Sequence, residues 1–340
     1  MVERIKDRLD RGETVMTIGV GRILHHNIMQ ILGLSGAFHS VWFDAEHVGF
    51  TIESLEINAL AARSEGLDNF VRIAPTDYAT VTRALEAGGG GIMAAQVFSA
   101  EQAEEIVRWC KFHPRGNRGL NTGGYDAGFG AMKPADFTEK ANRETFVAIQ
   151  IETAQSVEEV DEIAAIEGVD LLFIGPSDLS QSLGVTGDFF HEKCIDAIDR
   201  VSAACQKHGK HIGAVVVSPE HAGMMHEKGV RLISPTSDTK LLRSGSAAVQ
   251  EQFAEFSRVA HGTRRRLMVQ AEDLVAEPAT GGVRLSVTLP AGVYATVLLR
   301  EVLGCLAAWY CVAVLTRERV YRKKLITTIA SARRITKLTI

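Results

Sequence analysis

Four short stretches of this chain place proton-moving and cation-holding side chains at or directly behind apolar runs. "SVWFDAEHVGF" supplies Asp44, Glu46 and His47, and "NFVRI" supplies Arg72. "FVAIQIE" supplies Gln150 and Glu152, and "DLLFIGPSDLSQSLG" supplies Asp178 behind the turn Gly175–Pro176–Ser177. A carboxylate pair such as Glu152 and Asp178 suits a hard divalent cation, Mg2+ first and Mn2+ or Co2+ after it. Such an ion takes a few carboxylate oxygens and completes its shell with water and substrate. Histidine is the side chain whose charge changes near neutrality, which suits His47 to acid/base work. Lysine is informative by its absence: none of the predicted strands contains one, so a Schiff-base mechanism is disfavoured.

These residues need a scaffold that brings them together. Eight β-rich runs fall at 15–20, 40–44, 69–73, 91–95, 146–152, 170–175, 211–217 and 230–234, separated by helical patterns such as 99–112, 153–166 and 194–209. Eight strand–helix units in about 250 residues is the size of a (β/α)8 TIM barrel; a doubly wound open sheet is the competing arrangement. In a barrel the functional groups sit at the C-terminal ends of the strands, where all four stretches converge. Period-two alternation turns Val147, Ile149 and Ile151 toward the helices and Phe146, Ala148, Gln150 and Glu152 inward, with Arg72 inward on its own strand. Polar groups inside a barrel must bind each other, a metal or a ligand. An Arg72–Glu152 salt bridge meets that need as well as a ligand does. The glycine run "EAGGGGIM" (86–93) precedes its strand, so it reads as a tight turn rather than a phosphate cradle. His25–His26, His208/His211 and His221/His226 lie on predicted helices or at strand starts and offer no ligand set.

The barrel pattern spans residues 1–257, and 258–340 form an extension of a different character. Residues 261–340 carry a balance of +8 and the remainder −12, and an acidic body argues against nucleic acid as a partner. Within the extension, 302–316 is free of charge but short of the ~20 residues of a membrane span. The extension is expected to be helical or poorly ordered, with a membrane-associating tail as the lesser reading. The five cysteines are scattered and odd in number, which points to a reducing, cytoplasmic setting. No apolar h-region follows the N-terminus. The Gly- and Asn-rich insertion 113–145 reads as a lid or binding loop, or as disordered.

"FDAEH", "VRIAP", "IQIET" and "DLLFIGPSDLSQSLG", in this order and spacing, resemble the HpcH/HpaI aldolases, metal-dependent pyruvate aldolases on a TIM barrel. The resemblance covers roughly residues 5–257. It implies that Glu152 and Asp178 ligate the cation and that Gln150 orders its surroundings. It further implies that Arg72 contacts the substrate's keto oxygen, and that His47 with Asp44 forms the acid/base pair. The Gly175–Pro176–Ser177 turn would hold the pyruvate carboxylate through backbone N–H groups. Glu86 matches, less closely, an acidic position that reaches a neighbouring subunit's site. The family forms trimers or hexamers, with the last barrel helix, here 238–257, packed on a neighbour. Relatives have proline near Ala95, and the loop after Pro114–Gly119 departs from theirs, so the aldehyde is not specified.

The implied reaction is reversible cleavage of a 4-hydroxy-2-oxo acid to pyruvate and an aldehyde through the pyruvate enolate. Two alternatives stand beside it. One is an oxaloacetate decarboxylase or macrophomate-synthase-like enzyme that forms carbon–carbon bonds from the same enolate; the other is a non-catalytic barrel tethered by its basic tail.

Overall fold

Helix α1 (Ile5–Asp10) enters first, and its buried residues Ile5 and Leu9 join the interior of a barrel at the N-terminal end of the strands. In this computed structural model residues 2–74, 77–254, 272–279, 282–289 and 323–330 are described. The strands are β1 (Val15–Val20), β2 (Ser40–Asp44), β3 (Asp68–Ile73), β4 (Gly91–Ala94), β5 (Phe146–Ile151), β6 (Leu171–Ile174), β7 (His211–Val215) and β8 (Leu232–Ser234). Each pairs in parallel with the next, and β8 closes on β1 through Val15↔Leu232 and Met16↔Ile233. The ring is closed, so the open-sheet alternative falls and the fold is a (β/α)8 barrel.

The helices between them are α2 (His26–Ser35), α3 (Ile52–Ser64), α4 (Tyr78–Glu86), α5 (Ala100–Cys110), α6 (Pro134–Glu144), α7 (Ala154–Glu158), α8 (Val160–Ala165), α9 (Pro176–Ser182), α10 (Glu192–His208), α11 (Pro219–Glu227) and α12 (Asp238–Gln252). Several begin where a short polar residue follows a strand: Thr51, Asp77, Ser99, Thr153 and Ser218 each accept a backbone N–H of the first turn. The 153–166 pattern is two short helices rather than one. The chain breaks at Glu159, whose carboxylate instead accepts the Ala100 N–H at 2.7 Å.

The alternation anticipated in the strands divides the core into two layers. Val41, Phe43, Val71, Ile92, Val147, Ile149, Ile151 and Leu172 pack between strands and helices. Trp42, Phe70, Met93, Phe146, Ala148, Leu171, Phe173 and Leu232 fill the barrel itself. Full burial of one such large side chain stabilises the fold by roughly 1.5–3 kcal/mol. The upper end of the interior is polar instead, where Arg72, Gln150 and Glu152 take over.

The insertion at 113–145 is ordered. It contains α6 and builds a small core of Phe112, Ala127, Phe137 and Ala141. Buried Arg118 stacks on the Phe112 ring and pairs with Asp126. Its glycine-rich part lies along α4, where the Tyr125 N–H reaches Glu86 O at 3.0 Å. Gly116 serves close packing, since a Cβ there would run into the Lys111 carbonyl oxygen.

The chain falls into two compact units, Met1–Val249 and Gln250–Ile340. In the second unit β9 (Glu272–Ala279), β10 (Gly282–Leu289) and β11 (Lys323–Ala330) form an antiparallel sheet in the order β11-β10-β9. These segments correct the expectation of a helical extension. Val283, Leu285, Val287 and Leu289 alternate in the sequence with Arg284, Ser286 and Thr288, the period of a strand. The apolar run 302–316 lies outside the described residues. Among the described residues no helix is long and apolar enough to cross a membrane.

Candidate active site

The strand register builds the site from its first pair. β2 and β3 align Asp44 with Arg72, and both project from the carboxyl end of the barrel. Arg72 donates from Nε to Asp44 Oδ1 at 3.1 Å, and its Nη2 lies 2.8 Å from Oδ2. Its Nη1 stands 3.2 Å from Glu46 Oε2. The ion pair with Glu152 that the sequence left open is not formed; Arg72 takes its partners from the β2 end. Burial alone would raise the Asp44 carboxyl, but the hydrogen bond and charge of Arg72, with the His47 N–H, hold it below the usual carboxylate range.

His47 sits on the rim with its side chain 57% exposed. Its backbone N–H and that of Glu46 both donate to Asp44 Oδ1 at 3.2 Å. The carboxylate beside its ring is Glu46, with Nε2 3.7 Å from Oε2. Asp44 therefore meets His47 through the main chain, and Glu46 is the side-chain neighbour of the ring.

Glu152 follows β5 and is 1% exposed. Its Oε1 accepts the Gln96 backbone N–H at 2.8 Å and the Gln96 amide at 3.2 Å, while Oε2 accepts the Gln150 amide. Gln96 holds this clamp in the left-handed region at φ 54, a backbone state that costs about 1 kcal/mol or more for a residue other than glycine. No residue type in the sequence announces it. Burial first, and then the neighbouring charges of Glu46 and Asp178, push the Glu152 carboxyl up to about 7 against the Gln96 hydrogen bond and Arg72.

Asp178 lines the same cavity of ≈ 420 Å³ as Glu152, Gln96, Phe98, Gln155 and Gln181. It is exposed in the first turn of α9, and the N-cap there is Gly175, so Asp178 is not occupied as a helix cap. Pro176 opens the helix and has no N–H to give, which leaves Ser177 and Asp178 as the backbone donors of that turn. None of residues 113–145 lines this cavity. Glu86 is elsewhere, on the outer helical layer, accepting the Asn121 amide at 2.9 Å.

The donors suit a divalent cation. Gln150 Oε1 is buried without a hydrogen-bond partner, and burial disfavours the charged form of Glu152 in the absence of a cation. Among the described residues no three His, Cys, Asp or Glu side chains converge to hold an ion by themselves. Glu152 and Asp178 would be the ligands from the protein, with water and substrate completing the shell.

Gly175 leaves room for this clamp: a Cβ there would lie 2.7 Å from Gln150 Nε2 and 2.8 Å from Glu152 Oε2. Gly175→Ala should therefore lower kcat about tenfold or more, with secondary structure by circular dichroism retained. Wild-type kinetics in that variant would show that the clamp tolerates displacement.

Barrel and rim together are those of a carbon–carbon lyase. The chain belongs to the HpcH/HpaI aldolase/citrate lyase family, whose sequence pattern matches residues 24–245. It is 30% identical over 224 residues to the 5-keto-4-deoxy-D-glucarate aldolase of Klebsiella pneumoniae, a match spanning 66% of this chain and 86% of that one. The HpcH/HpaI aldolase of Desulfitobacterium hafniense superposes with a TM-score of 0.70 at 29% identity, over 74% of this chain and 97% of that one. Macrophomate synthase superposes with a TM-score of 0.64 at 26% identity, over 75% and 89%. Enzymes of this family generally depend on a divalent metal.

Proposed function

We propose that this protein is a divalent-cation-dependent pyruvate aldolase, cleaving a 4-hydroxy-2-oxo acid to pyruvate and an aldehyde, with Mg2+ as its ion. The observation that carries the reading is Glu152, buried, clamped by amides on both oxygens and lining one cavity with Asp178. When bound, the cation would supply Lewis-acid polarisation of the 2-oxo group.

The remaining work falls to side chains. Arg72 has five N–H bonds and uses two on Asp44; Nη1 beside Glu46 leaves N–H capacity for the substrate's keto oxygen as negative charge develops there. The N–H groups of Ser177 and Asp178, at the start of α9, would receive the substrate carboxylate. His47 Nε2 takes the proton of the C4 hydroxyl through water. The C3–C4 pair then flows into the enolate, the aldehyde departs, and C3 is reprotonated.

Supporting an oligomer, Leu241, Leu242 and Val249 of α12 are 44%, 61% and 55% exposed, an apolar surface suited to another subunit in a trimer or hexamer. Cys110, Cys194 and Cys205 are free thiols, in keeping with a cytoplasmic setting.

The test is pyruvate release across a panel of 4-hydroxy-2-oxo acids and oxaloacetate, with and without chelator. Chelation should abolish release and added Mg2+ restore it; release indifferent to chelator would remove the cation from the reaction. Faster CO2 loss from oxaloacetate than cleavage of every hydroxy-oxo acid would make the decarboxylase reading the better one.

A further inference from the structure

One aromatic side chain at the top of the barrel interior has no part in the reaction as described. Trp42 points inward from β2, two residues before Asp44, and is 7% exposed. Its indole N–H donates 3.0 Å to Ser234 Oγ on β8, a residue that is itself buried. Space for its ring comes from β1, where a Cβ on Gly19 would lie 2.6 Å from Trp42 Cζ2 and 2.9 Å from Cε2. Over the ring stands Arg72, its guanidinium carbon 4.7 Å from the centroid. A buried tryptophan needs a partner for its N–H in any core, so the Ser234 bond alone says little. The absent side chain of Gly19 and the stacked guanidinium are what a filler residue does not require.

Asp44 and Glu46 fix the edges of the Arg72 plane, but both belong to one strand end and the loop behind it, and neither touches its face. A ring face beneath the guanidinium does, and the attraction of a cation for that face strengthens where water is excluded. We propose that Trp42 is a positioning residue: anchored by Ser234 and admitted by Gly19, it holds the Arg72 guanidinium so that its unengaged N–H bonds stay aimed at the substrate's keto oxygen. The inference rests on the proposed part of Arg72 in enolate formation.

The test measures exchange of the pyruvate C3 protons in D2O by NMR, on full-length protein supplied with Mg2+. Trp42→Leu should lose about tenfold in kcat while the KM for pyruvate stays within about twofold, because the ring aids the transition state rather than ground-state binding. Trp42→Phe, which keeps a ring face without the anchor, should recover to within about threefold of wild type. Oxalate, which mimics the enolate's two oxygens, should change tryptophan emission in the wild type and not in Trp42→Phe. If Trp42→Leu does not fold, Gly19→Ala decides: it keeps the indole but displaces it, and should give the same loss in kcat. Unchanged kcat in the folded variant, or a Trp42→Phe as impaired as Trp42→Leu, would overturn the platform while leaving the aldolase reading intact. A wild-type protein that exchanges no protons overturns both.

Discussion

Replacing Glu152 by glutamine should abolish pyruvate formation and, at the same time, make the cation-free protein more stable above neutral pH. The loss of activity follows from removing one of the two carboxylates proposed to hold the cation. Polarisation worth several kcal/mol is forfeited, so kcat should fall by about 10³ or more. The gain in stability follows from the environment. In the folded chain this carboxyl is pushed up to about 7 from 4.5, foremost by burial. Because the native state then binds the proton more tightly than the unfolded chain, stability declines as pH rises from 4.5 to about 7, and the full cost persists above that. The rise corresponds to a destabilisation on the order of 3 kcal/mol once Glu152 is ionised. Glutamine carries no charge to desolvate, and the Gln96 N–H still finds an oxygen. Gln150, whose Oε1 has no partner, can turn its amide to meet the new donor. Calorimetry in chelator from pH 5 to 9 should show the wild-type Tm falling relative to the variant through neutrality; parallel curves would falsify the account of Glu152. A catalytically unaffected variant would remove Glu152 from the proposed cation site.

The barrel was legible because its strands alternate, and alternation decides which side chains face inward. Gln150 and Arg72 are where period two places them, and Asp44 meets Arg72 because the β2–β3 register aligns them. What remained hidden belongs to backbone geometry and to the third dimension. Gln96 clamps Glu152 from a left-handed conformation, and glutamine is not a residue whose type signals that state. The neighbour of the His47 ring is Glu46 rather than Asp44, since Asp44 is turned toward Arg72 by two contacts stronger than any it makes with imidazole. For the glycine-rich insertion, composition speaks to flexibility and not to location. It follows α5 and leads into β5, so the chain enters it at the end of the barrel remote from Glu152. In the extension the alternation from Val283 to Leu289 is present in the sequence, in a segment that keeps no clear period over its whole length.

Arg72→Ala should lower hydroxy-oxo-acid cleavage and oxaloacetate decarboxylation in parallel, each by on the order of 10³, because both pass through the same enolate oxygen. It should also cost the fold roughly 3 kcal/mol at neutral pH. Asp44 and Glu46 are nearly buried beside the guanidinium, with side chains 15% and 8% exposed, and its removal leaves two carboxylates facing each other without a cation. The pH dependence separates this from a simple loss of packing. Asp44 is held below its ordinary 3.8 by Arg72, so the stability it contributes is fully present above that value and is lost as pH falls through its folded pKa. The gap in Tm between wild type and Arg72→Ala should therefore be widest near pH 7 and narrow below pH 4. Arg72→Lys keeps a charge but cannot make the two-point contact with Asp44, so it should recover most of the stability and little of the rate. A lysine variant with near wild-type turnover would mean that positive charge alone suffices at the keto oxygen, and that the planar fork held by Asp44 has no catalytic consequence.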